Sequence, residues 1–134
     1  YMNSKGEKTD KEKYPLTDAN YGKTIWEELV EPSANLQLVF CGHIADEESH
    51  RGQVGFLEEV NQTGKKVTQM LFNAQREGGG WHGNGGDGWL RILEFLPGQR
   101  MIKVYTFSPF FWISPSTRNL AWRTESYDQF EFTY

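Results

Sequence analysis

A chain of 134 residues with a net charge of −4 has the length of one domain. It can bury roughly two-thirds of the surface its unfolded form exposes, and it lacks the basic excess of a phosphate-backbone binder, so nucleic acid is not expected as a ligand. No apolar run approaches the roughly 20 residues of a membrane-spanning helix, and the lone Cys41 excludes an internally disulfide-stapled mini-domain while leaving the compartment open.

The chain opens on Tyr1-Met2 with no charged-then-apolar signal segment, and reads as a portion of something longer. Residues 1–22 interleave Lys5, Lys8, Lys11 and Lys13 with Glu7, Asp10 and Glu12, which predicts a polar surface loop. Thr24-Ile25-Trp26-Glu27 has the form of a capping box, and Ile25 and Leu29 share a face with Trp26 or Val30 beside it. This predicts one clear helix over about 24–31, ended by Pro32.

Leu36-Gln37-Leu38-Val39-Phe40-Cys41-Gly42-His43 is a nearly unbroken apolar run, which predicts a strand buried on both faces, as in a parallel sheet. Helix and strand over 23–43 then make the second half of a βαβ unit whose first strand lies upstream. Chemistry in open α/β sheets gathers beyond the carboxyl ends of the strands, which is where His43 falls. The acidic stretch Ile44–Gly52 follows; it reads as a solvated connection or, with Asp46, Glu47, Glu48 and His50, as part of a metal shell.

From Val54 to Tyr134 the pattern turns to β. Strands are expected at 56–60 and 66–73, joined by a turn at Asn61-Gln62-Thr63-Gly64, then at 89–95, 101–107 and 128–134, together a β-meander within a single unit. Between them lie a loop with seven glycines in the eleven positions 78–88 and a proline-bracketed aromatic segment, Ser108–Pro115, that cannot be a central strand. The glycines are not followed by Lys-Ser/Thr and a helix, so a phosphate-cradling loop is excluded. They form a flexible turn or a flap carrying Trp81 and His82 toward a site.

Nucleophiles are poorly represented. Cys41 sits in an apolar strand and is expected to be an inert hydrophobe, and no serine stands in a Gly-x-Ser-x-Gly elbow. Cys41, His43, His50 and His82 lack the paired spacing of a zinc knuckle. What remains is His43, as a neutral imidazole ligand at a strand end or as an ordinary loop histidine.

Taken together, Trp26, Cys41-Gly42-His43, Gly64, Val67, Gln69, Asn73-Ala74-Gln75, Gly88-Trp89-Leu90-Arg91 and Thr106-Phe107-Ser108-Pro109 resemble the C-terminal portion of bacterial calcineurin-like metallophosphoesterases. The resemblance implies the β-rich C-terminal part of a four-layer αββα sandwich with two divalent metals (Mn, Fe, Zn or Mg), and hydrolysis of a phosphoester by a metal-bound hydroxide. Gly42-His43-Ile44-Ala45 takes the place of the family's final Gly-His-x-His, so His43 is implied as a metal ligand. Ala45 stands where a second histidine is expected. Water, Asp46 or His50 replaces it, or one metal is held weakly.

Gly42, Asn73, Gln75 and Trp81 are implied near the substrate; the catalytic residues are not identified by the resemblance, and His50 and His82 are the candidates for protonating the leaving oxygen. With its other ligands in a missing N-terminal portion, the chain alone is expected to be inactive, and its severed sheet to favour self-association. The rival reading is a non-catalytic β-rich accessory module that binds carbohydrate or a protein through Trp81, Trp89, Phe110, Phe111 and Trp112.

Overall fold

The computed structural model describes residues 1–10, 17–44 and 49–134, except for the side chain of Trp81. Contacts divide the chain into two compact units, Tyr1–Asn73 and Ala74–Tyr134. It is a mixed α/β, strand-rich chain with little helix and two separate sheets.

In the first unit, α1 (Gly22–Ile25) continues as a π-helical turn, Trp26–Val30, closed by the Glu31 N–H donating to the Trp26 carbonyl at 2.8 Å. The helix starts two residues before the expected 24–31 and lacks the capping box. Tyr21 is the N-cap, and no side chain of the expected box serves the first turn. Instead the Gly22 N–H donates to Thr9 Oγ1 at 3.1 Å and the Lys23 N–H to the Thr9 carbonyl at 2.9 Å. A tertiary partner supplies what helix ends require, so Thr24 is free to sit inside the helix. The inward pair is Trp26 and Val30, while Leu29 is 56% exposed.

Strands β1 (Leu38–Cys41), β2 (Val54–Val60) and β3 (Lys66–Phe72) form a sheet in the order β1-β3-β2, with β1 parallel and β2 antiparallel to β3. The parallel pairing matches the expectation; the double burial of 36–43 does not. Among the described residues β1 pairs only with β3, and Phe40 is 50% exposed, so β1 is a short edge strand. The central position belongs to β3, which is buried from Val67 through Leu71. Its hairpin with β2 turns at Asn61, whose Oδ1 accepts from the Thr63 N–H at 3.0 Å and the Lys65 N–H at 2.9 Å, while Gly64 takes φ 77°.

Alternation puts Val67, Gln69 and Leu71 on one face of β3 and Thr68 and Met70 on the other. Trp26 and Val30 pack on Val67, with Ile25, Leu36 and Val39 against them. More of this face is covered by Tyr1–Thr9, which doubles back through the Thr9 N–H to the Tyr1 carbonyl at 2.9 Å. This stretch is not the polar surface loop expected of 1–22. Met2 is fully buried, Tyr1 Oη donates to Gln69 Oε1 at 2.7 Å, and Lys8 pairs with Glu59. On the opposite face Phe40 and Phe56 flank Met70 in register, and both are substantially exposed.

In the second unit, β5 (Met101–Phe107) is central, with β4 (Leu90–Leu96) on one side and β6 (Trp122–Arg123) and β7 (Phe130–Thr133) sharing the other. The strands after Val54 therefore belong to two sheets rather than one meander. The glycine-rich segment between them contains six glycines at positive φ, from Gly78 to Gly88, a backbone no strand could continue through. The aromatic stretch after β5 is a short helix, α2 (Pro109–Ile113), with Pro109 in its first turn and Ser108 Oγ accepting from the Phe111 N–H at 3.2 Å. No helix of the described residues is long and apolar enough to cross a membrane.

Ile102, Val104 and Thr106 of β5 are buried, and beside them lies a polar knot. Arg91 bonds Asp128 Oδ1 at 3.0 Å, with side chains 6% and 0% exposed, and Thr106 Oγ1 donates to the same carboxylate at 3.0 Å. Removing one partner of such a pair strands the other charge in the core. Asp128→Ala is expected to cost about 3–5 kcal/mol, read by urea unfolding, and Arg91→Met in the Asp128→Ala background to recover part of that. A loss below about 1 kcal/mol, the level of an exposed pair, would mean that water reaches the guanidinium.

Candidate functional site

Because β1 and β3 run parallel, their carboxyl ends reach the same edge of the first unit's sheet. Gly42-His43-Ile44 leaves β1 there and Asn73 follows β3. The antiparallel β2 begins at that edge, with Val54 opposite Phe72, so the preceding 3₁₀ turn His50–Gln53 arrives at the same place.

Asn73 ties these segments together. It is buried; its backbone N–H donates to the Gln53 carbonyl at 2.9 Å and its Nδ2 to the Ile44 carbonyl at 3.4 Å. Gly42 passes close to β3, where an added Cβ would stand 3.3 Å from the Phe72 carbonyl oxygen. The His50 ring meets the Phe72 ring edge-on at 6.3 Å. His43 is exposed and holds φ 67°, a left-handed conformation that costs a non-glycine residue about 1 kcal/mol or more.

Four of the residues singled out in the sequence, Gly42, His43, His50 and Asn73, thus share one edge of one sheet. Gln75, Trp81 and His82 belong to the second unit; Gln75 and His82 are exposed. Ala45 and Asp46 lie outside the described residues. Gln53, fully buried and holding Asn73 through its carbonyl, carried no sequence signal, since only the pairing of β2 with β3 brings it there. Cys41 is half-buried and its Sγ donates to the Met70 carbonyl at 3.5 Å; burial pushes the thiol pKa up, which keeps it protonated and a poor nucleophile.

Among the described residues, no three of His, Cys, Asp and Glu are grouped so as to hold a metal ion. His43 is exposed at the strand end. The described donors therefore do not fit a whole metal shell, and a cation bound here would need its remaining ligands from elsewhere.

Four aromatic residues of the accessory-module reading divide into two pairs. Trp89 and Phe111 are half-buried and meet edge-on at 5.6 Å, and Arg123, paired with Glu77, lies over the Trp89 ring at 4.3 Å. Phe110 and Trp112 are exposed. A cavity of about 580 Å³ lies on the β4–β5 face, lined by Ile92, Glu94, Tyr105, Trp122, Thr124 and Gln129. The alternation in β4 and β5 puts Ile92, Glu94 and Tyr105 on one face, but Trp122 joins them only through the β5–β6 pairing.

Glycine relieves left-handed strain, so His43→Gly is expected to raise the unfolding free energy by about 0.5–1 kcal/mol in urea titrations, although it deletes an imidazole. A loss of stability would show instead that the His43 side chain holds the loop.

No family model and no solved structure matches this chain. It is 32% identical over 94 residues to the uncharacterized protein YvnB of Bacillus subtilis (strain 168), a match covering 66% of the chain. The chain spans only 6% of that protein's length.

Proposed function

We propose that this chain is the C-terminal portion of a metal-dependent phosphoesterase of the calcineurin-like kind, with His43 as one ligand of its metal centre. The observation that carries the reading is the convergence of Gly42-His43 and Asn73 at the carboxyl ends of two parallel strands, the position at which open α/β sheets keep their chemistry. His43 is accessible there on a left-handed backbone, a strain that proteins tend to retain where a side chain must be aimed.

The exposed row of Phe40 and Phe56 about Met70 supports the sandwich part of the reading, because it is the kind of face a second sheet would cover. Bound cations would supply charge to the phosphoryl oxygens and acidify a water. The chain's own share is narrower. Asn73 and Gly42 hold the loop against β3, His43 offers a donor nitrogen, and His50 at the same edge is the candidate to protonate the leaving oxygen. Gln75, Trp81 and His82 belong to the second unit.

The test compares the chain alone with a longer protein that contains it. Calorimetry of the chain with Mn²⁺ or Zn²⁺ is expected to show no micromolar site, and p-nitrophenyl phosphate no turnover. In the longer protein His43→Ala is expected to lower turnover by at least about 100-fold, the upper end of what loss of a mere outer-shell partner costs. Unchanged turnover in that variant would overturn the assignment.

A further inference from the structure

The cavity on the second unit has a chemistry of its own, independent of the phosphoesterase reading. Strand register sets it up. Ile92 lies opposite Tyr105 and Glu94 opposite Lys103 in the β4–β5 ladder, while Trp122 follows from the pairing of β6 with Phe107. The Tyr105 and Trp122 rings stand 6.5 Å apart at 81°, two walls at nearly a right angle, with Ile92 beside them. The Trp122 ring packs on Phe107 with centroids 4.4 Å apart and planes tilted by 39°, although it is 47% exposed.

The charge at this corner is negative. Glu94 accepts from Tyr105 Oη at 3.1 Å and, among the described residues, makes no ion pair. Lys103 is the cross-strand neighbour of both Glu94 and Glu131, so one cation faces two carboxylates on this side of the sheet. Two perpendicular π faces beside an unmatched carboxylate, around about 580 Å³, form a site whose field favours a cation and whose walls favour its methyl groups.

We propose that Tyr105, Trp122 and Glu94 bind an organic cation of the quaternary or methylated ammonium class. The rings supply cation–π attraction, and Glu94 supplies the counter-charge. Thr124 and Gln129, which also line the cavity, would meet a polar substituent on the ligand.

The probe pair is choline and its uncharged isostere 3,3-dimethyl-1-butanol, titrated into the full 134-residue chain at constant ionic strength and followed by calorimetry and by the indole N–H signals in NMR. Choline is expected to saturate one site and shift the Trp122 signal, with the isostere weaker by about tenfold or more. Glu94→Gln, an exposed and conservative change, is expected to weaken choline about threefold to tenfold, and Trp122→Leu to abolish the site. If Trp122→Leu fails to fold, Glu94→Gln and the isostere still decide. Absence of saturable choline binding, equal affinity for the two probes, or indifference to Glu94→Gln would each overturn the proposal.

Discussion

The buried amide of Gln69 governs the first unit. A side-chain amide in a fully covered stretch of a central strand must find partners on both of its ends, or its desolvation goes uncompensated. Its Oε1 takes the Tyr1 hydroxyl and its Nε2 donates to Glu59 at 2.6 Å. Glu59 is answered by Lys8, and Lys8 lies over the Trp26 ring, 4.3 Å from its centroid. Trp26 in turn packs on Val67, two residues along the same strand. One polar residue thereby fixes where the N-terminal segment lies, how the helix rests on the sheet and which face of the sheet is closed.

The same contacts separate the features that local sequence encodes from those that only tertiary structure creates. The β2–β3 hairpin was legible because Asn61 and Gly64 carry their turn chemistry locally, and β5 was legible because it alternates strictly. The helix was legible in existence but not in detail: its N-terminus is served by Thr9, a partner distant in sequence, and its inward pair is Trp26 and Val30, whose four-residue spacing equals that of Ile25 and Leu29, so spacing alone does not choose between the pairs. The segment 1–22 looked solvated because lysines and glutamates dominate it, and a single buried methionine at position 2 does not announce itself in composition. The apolar run into His43 has the hydrophobicity of a central strand, but rank within a sheet depends on which strands come later.

The candidate site was half legible. Gly42-His43 at the end of an apolar strand marks one sheet edge in the sequence, and the structure brings His50 and Asn73 to the same edge. The role of Asn73 in pinning that edge follows only from the parallel register, which sets the two strand ends side by side. The cavity on the second unit was not legible, since the aromatics with the most suggestive surroundings, Trp89 and Phe111, spend themselves on packing and on Arg123, while Tyr105 and Trp122 meet across a ladder.

The Arg91–Asp128 knot bears on the order in which the second unit can assemble. The partners stand 37 residues apart, and Asp128 precedes the last strand. The β4–β5 hairpin is local and can form early, but it brings the Arg91 guanidinium toward the core with no counter-ion until nearly the whole chain is available. A polypeptide emerging from the ribosome therefore holds an incomplete sheet, with an unanswered charge, through the synthesis of α2 and β6. Closure of this unit waits on Asp128, and a polypeptide that stops before residue 128 lacks the counter-charge of Arg91 as well as β7.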